Sequence, residues 1–214
     1  ADRKEPGKQT SPRSEDPVQR AGDWFKQTLG AVAIDATVAK GVAAPDAIEI
    51  ASVESAEISD WIPYMLRVSD NQLAESLSRL IALDLNMAPE FSSLTGAYAK
   101  ALGATGLVLA GLKVEDGSGL SKFNQLPPKL VNDLLVMINQ GYGDFEIIAA
   151  GLPIAGQSGS LSARFPDEQS DAHDLIAAKT GWIRTGYSLA GFADSPDGSK
   201  LIFTIYNLGN SVTI

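Results

Sequence analysis

The sequence predicts an α+β fold in which helices precede an antiparallel sheet. Apolar residues recur at helical spacing through much of residues 16–149, and three strand-like runs then follow one another at 174–182, 185–194 and 199–207. Length sets the scale: 214 residues, 44% hydrophobic and 20% charged, suffice for one domain or a little more, with a sizeable core.

The elements follow in order. Residues 1–15 are charged and proline-rich, the composition of a linker or tail, so the folded portion is expected to be 16–214. Asp16-Pro17 is an N-cap followed by proline at the first helical position. Val18, Ala21, Phe25 and Leu29 continue that helix, and Gly30 ends it. Residues 31–39 and 47–53 alternate loosely and read as two short strands. A helical pattern from Ser59 to Leu85 comes in two pieces. Trp61, Ile62, Met65 and Leu66 mark the first, Leu73, Leu77, Leu80 and Ile81 the second, and residues 68–72 join them. A helix over 92–102, a short strand and a turn at 115–121 come next. Pro127-Pro128 opens a helix to Asn139, and a shorter one lies near 144–149. In the closing meander, Ser195-Pro196-Asp197-Gly198 has the residues of a type I turn.

Composition removes several kinds of chemistry. The chain has no cysteine and one histidine, which excludes a cysteine nucleophile, an iron–sulfur cluster and a multi-histidine metal site; no metal or cofactor is expected. His173 lies in the polar stretch EQSDAHD and reads as a surface residue. A net charge of −9 and a pI near 4.6 argue against nucleic acid as a partner. The longest uncharged run, between Glu146 and Arg164, is broken by glycines and a proline, so no transmembrane segment is expected. GLPIAGQS at 151–158 has P-loop glycine spacing but carries Gln157 where the phosphate-binding lysine belongs. GQSGS at 156–160 lacks the second glycine of a nucleophile elbow.

Two strings remain. Ser69-Asp70-Asn71 sits between two helices, and Lys179-Thr180-Gly181 sits in a strand. Taken singly, each has a structural explanation. Ser69-Asp70-Asn71-Gln72 fits a capping box with Ser69 as N-cap, and Lys179 fits an exposed strand lysine before a bulge glycine. In this order, however, SDN and KTG are two of the three motifs of serine acyl-transferases that bind penicillin. Their chemistry suits acyl transfer without histidine. A serine hydroxyl beside a lysine can relay a proton, an asparagine amide can hold a substrate amide, and lysine with threonine can hold a carboxylate.

The segments PYMLRVSDNQLAESLSRLIA, VEDGSGLSKFNQLPPKLVNDLL, GLPIAGQSGSLSARF and IAAKTGWIRTGYSLAGFADSPDG resemble the D-alanyl-D-alanine carboxypeptidase/endopeptidase family, the class C low-molecular-mass penicillin-binding proteins, over roughly residues 16–208. The resemblance implies the β-lactamase/penicillin-binding transpeptidase-like fold, an antiparallel sheet flanked by helices with a helical lobe. It implies roles by position. Ser69 shuttles the proton to the leaving amine, Asn71 bonds the substrate carbonyl, and Lys179 supplies positive charge. Thr180 contacts the substrate carboxylate, Gly181 lets the substrate lie close, and the N–H of Trp182 is half of the oxyanion hole. Arg164 faces the side-chain pocket, while Asp116-Gly117-Ser118-Gly119 is a mainly structural turn. The implied partners are a peptidoglycan stem peptide and β-lactams, in an extracytoplasmic setting, the periplasm or cell envelope.

The chain departs from the family pattern twice. Trp182 stands where the family usually has threonine or serine, removing one carboxylate-binding hydroxyl. No serine here is followed three residues later by lysine, so the family's Ser-x-x-Lys nucleophile motif is missing. The chain is therefore expected to be the C-terminal part of the enzyme, inactive alone, with an apolar gap and an unpaired sheet edge where the N-terminal part belongs. A non-catalytic peptidoglycan-binding or scaffolding homologue is the alternative, and β-lactamase or esterase activity ranks third.

Overall fold

The computed structural model describes residues 14–165 and 170–212. The expected tail, 1–15, lies almost entirely outside them. The chain divides into two compact units, Ala1–Ser55 and Ala56–Ile214.

In the first unit, α1 spans Pro17–Leu29. Asp16 is its N-cap, accepting from the Gln19 N–H at 3.0 Å, and Pro17 opens the first turn. Asp16 also meets Lys40, and these bonds hold its carboxyl below the usual range. The two strands expected at 31–39 and 47–53 are absent. Gly30–Ala33 is a 3-10 turn, and residues 38–57 carry no strand or helix apart from one turn. Val42, Ile48, Ile50 and Val53 stand exposed. β-Branched residues favour a pleated surface only when a neighbouring strand supplies one, and here none does.

The second unit is α+β, as expected. Its helices are α2 (Ile58–Val68), α3 (Asn71–Asp84), α4 (Leu94–Leu102), α5 (Pro128–Asn139) and α6 (Glu146–Gly151). The strand expected before the 115–121 turn is reduced to one bridge, Lys113 to Gln125. Strands β1 (Ile176–Ile183), β2 (Gly186–Asp194) and β3 (Lys200–Leu208) form an antiparallel meander. The β2–β3 turn closes as its residues require. The Gly198 N–H donates to the Ser195 carbonyl at 2.9 Å, and Gly198 takes φ 83°, open to glycine without strain.

One core joins helices to sheet. Leu135 and Ile138 of α5, with Leu152, pack on Phe192, and Ala177, Ala190 and Ile202 extend the contact. Ala177, Phe192 and Ile202 are register partners, so they share one sheet face. Alternation puts Lys179 and Gly181 on that face and Thr180 and Trp182 on the other. α6 abuts α2 closely: a Cβ on Gly151 would stand 2.6 Å from the Pro63 Cα. Among the described residues β3 pairs only with β2, and Leu201, Ile205 and Leu208 on it are exposed. An unpaired sheet edge was expected, and β3 carries one.

His173 departs from the surface reading. Its side chain is only 14% exposed, with Nδ1 2.9 Å from Asp174. The ring packs on Gly156, where a Cβ would meet it at 2.1 Å. A small residue in the loop opened room that composition alone did not reveal.

Candidate active site

Two helix ends and one strand build the site. α2 ends at Ser69, which takes φ 54°, ψ 53°, and the Asp70 N–H returns to the Met65 carbonyl at 3.0 Å. This is a left-handed helix termination of the kind that glycine usually supplies. α3 starts at once. Its N-cap is Asp70, whose carboxylate accepts from the N–H groups of Gln72 and Leu73 at 3.0 and 3.1 Å. The N-cap expected on Ser69 falls instead on Asp70, and the third helical position is then Leu73, which cannot close a capping box. The join is also shorter than residues 68–72, because Val68, Asn71 and Gln72 are helical. The shift matters chemically, because capping falls to Asp70 and leaves the Ser69 hydroxyl for another partner.

That partner is Lys179. Its ammonium donates to Ser69 Oγ at 2.8 Å and to the Thr180 carbonyl at 2.7 Å. Burial pushes the ammonium down from 10.5 to about 8. At neutral pH it is still mostly charged. A serine oxygen that accepts from an ammonium keeps its own proton to donate, which is the arrangement a proton relay needs. Asn71, the first residue of α3, is exposed beside Ser69.

β1 presents an edge. Ala178 N–H bonds the Pro153 carbonyl and Ile176 accepts from the Ala155 N–H, both at 2.9 Å, so the segment 153–155 covers the first half of that edge. In an antiparallel strand the N–H and C=O of one residue point the same way and alternate along the chain. The same parity turns the backbone of Thr180 and Trp182 outward, beyond the covered stretch. Trp182 is 54% exposed. Gly181 faces Ser188 across the sheet, where a Cβ would come 2.4 Å from the Ser188 hydroxyl. The guanidinium of Arg164 stands 5.1 Å from the ring centre of Tyr187, the register partner of Trp182. A cleft of about 420 Å³ opens beside Gly181 and Trp182, lined also by Lys122, Asn124, Ser188 and Tyr206. Burial raises the Tyr206 phenol above its ordinary value.

The Asp116 turn supports α3. Asp116 accepts from the N–H groups of Gly119 and Ser121, both at 2.6 Å, and Asn124 Oδ1 accepts from the Glu115 N–H at 2.7 Å. The Gly117 N–H donates to Glu75 of α3 at 2.7 Å. A Cβ on Gly117 would lie 2.5 Å from Ser78 Cβ and 2.8 Å from the Ala74 carbonyl. Gly117→Ala is thus expected to cost about 1–3 kcal/mol through overpacking against a helix. Urea unfolding checks it, and an unchanged midpoint contradicts the close docking.

Sequence reasoning missed Ser160. The failed elbow GQSGS places its last serine 2.7 Å from the Thr180 hydroxyl. The signal was Gly159, at φ 57°, where a Cβ would meet the Arg67 carbonyl at 2.2 Å. That glycine lets the loop lie against the end of α2 and brings Ser160 to β1.

The chain is similar to several known proteins. "Carboxypeptidase DacB" of Mycolicibacterium smegmatis is 32% identical over 207 residues, 95% of this chain and 45% of its own length. "D-alanyl-D-alanine carboxypeptidase DacB" of Haemophilus influenzae is 32% identical over 158 residues, 73% of this chain and 33% of its own. The crystal structure of penicillin binding protein 4 (dacB) from Haemophilus influenzae aligns with a TM-score of 0.66 at 31% identity, covering 72% of this chain and 34% of that one. A second structure of that protein is complexed with a β-lactam. The chain spans less than half the length of these relatives. The D-Ala-D-Ala carboxypeptidase 3 (S13) family profile matches residues 2–213. With an α+β unit, a lysine-bonded serine between two helices and a KTG strand at the sheet edge, the chain belongs to that family.

Proposed function

We propose that this chain is the C-terminal share, 16–214, of a serine-type D-Ala-D-Ala carboxypeptidase/endopeptidase acting on peptidoglycan stem peptides outside the cytoplasmic membrane. The observation that carries the reading is the 2.8 Å bond from Lys179 to Ser69, made between residues 110 positions apart. In this reading a serine from a Ser-x-x-Lys segment outside this chain attacks the carbonyl between two D-alanines. The outward N–H of Trp182 faces the oxyanion, a donor of a kind worth about 3 kcal/mol. The amide C–N bond breaks as Ser69 gives its proton to the leaving amine and takes in its place, through the lysine of that segment, the proton the nucleophile released on attack, while the Lys179 ammonium holds the Ser69 oxygen. Water then hydrolyses the acyl-enzyme. Asn71 holds the substrate amide, Thr180 its carboxylate, and Gly181 and Arg164 border the bound peptide. β-Lactams would acylate the same nucleophile.

The test is penicillin labelling. Fluorescent penicillin is expected to leave the 214-residue chain unlabelled and to label a protein that joins it to its Ser-x-x-Lys segment. Covalent labelling of this chain alone overturns the division of the site. A second reading, a non-catalytic peptidoglycan-binding homologue, draws on Trp182, whose exposed ring stands at the KTG edge. It is favoured if the joined protein binds stem peptide without acylation.

A further inference from the structure

We infer that Ser160 is a substrate-carboxylate residue, supplying the hydroxyl that position 182 lacks. The inference rests on the acyl-transfer reading and names who holds the anion within it. Thr180 and Trp182 project from the same face of β1, and a tryptophan there brings no hydroxyl to a carboxylate. The neighbouring loop does. Ser160 Oγ lies 2.7 Å from Thr180 Oγ1, and both residues are at the surface beside the uncovered half of the strand edge.

Hydroxyls rotate to suit their partner. Two of them at hydrogen-bond distance can each turn a proton toward one oxygen of a carboxylate. Bonds of this charge-assisted kind are about twice as strong as neutral ones. The loop is held for the task. Gly159 seats it against the Arg67 carbonyl, and the Gly156 N–H ties it to the carbonyls of Leu161 and Arg164 at 3.1 and 2.9 Å. The Trp182 side chain, on the same face as Thr180, is exposed. A merely structural serine would tie loop to strand equally well, so the test must ask about the anion.

The experiment measures kcat and KM of the joined, full-length protein on an N-acylated D-Ala-D-Ala peptide and on its C-terminal carboxamide. Unsubstituted protein is expected to prefer the acid. Ser160→Ala is expected to raise KM for the acid roughly tenfold, the scale of one lost charged hydrogen bond, and to change KM for the amide less than twofold. Ser160→Thr keeps a hydroxyl and is expected to restore the acid preference. Equal losses on acid and amide assign Ser160 a structural role and overturn the inference. An unsubstituted protein that turns over the acid and keeps its preference in Ser160→Ala also overturns it, while leaving the acyl-transfer reading intact. A protein that turns over acid and amide alike overturns the carboxylate assignment, and one that turns over neither overturns the acyl-transfer reading.

Discussion

Lys179→Met is expected to slow penicillin acylation of the joined protein by roughly 10²–10⁴-fold, the range of a lost proton-transfer partner. The substitution keeps an unbranched stem, one atom shorter, and removes the ammonium that bonds Ser69 and the Thr180 carbonyl. The pH profile gives a sharper signature. Burial holds the ammonium at about 8 rather than 10.5. Acylation that depends on this charge should fall as pH rises through about 8, and Lys179→Met should lose that limb. Stability moves the other way. Between about pH 8 and 10.5 the unfolded chain still binds the lysine proton that the folded chain has released, so the folded state gains stability as pH rises through this window. Thermal unfolding between pH 7 and 10.5 should show a rise that Lys179→Met flattens. A variant that acylates at the parent rate would remove Lys179 from the chemistry.

What the sequence made legible was local. The helices at 17–29, 58–84, 94–102 and 128–139, and all three strands, follow from periodicity and caps within a residue or two. Residues 31–39 and 47–53 show the limit, because strand propensity is realised only against a partner strand and no spacing rule reports one. The site divides similarly. Ser69 and Lys179 were nameable because motifs mark them, yet their bond depends on where α2 stops relative to β1. Ser160 carried no motif. Its place depends on how closely Gly159 lets one loop approach the Arg67 carbonyl, a tertiary fact with only a glycine as its trace. Asp70 took the capping role from Ser69 because the chain needs a left-handed residue before α3 can begin, and that residue cannot also have the extended backbone of an N-cap.

Ser69 offers the other large expected effect, one that separates stability from activity. Its backbone lies in the left-handed region, where a side chain costs about 1 kcal/mol and glycine costs little. Ser69→Ala and Ser69→Gly both remove the hydroxyl that accepts from Lys179. Each is expected to lower acylation by roughly 10²–10⁴-fold, as a missing proton carrier does. Their stabilities should differ. The alanine keeps the backbone strain and loses the hydrogen bond. The glycine loses the same bond and relieves the strain, so it should be the more stable of the two by about 1 kcal/mol in urea unfolding. A residue present only to end α2 would be improved by glycine with activity retained. If Ser69→Gly acylates like the parent, the serine is a helix cap and the relay must lie elsewhere. A glycine variant that is well folded and inert leaves the hydroxyl as the reason for tolerating a strained backbone, since strain held at a functional position is offset by what the side chain there can do.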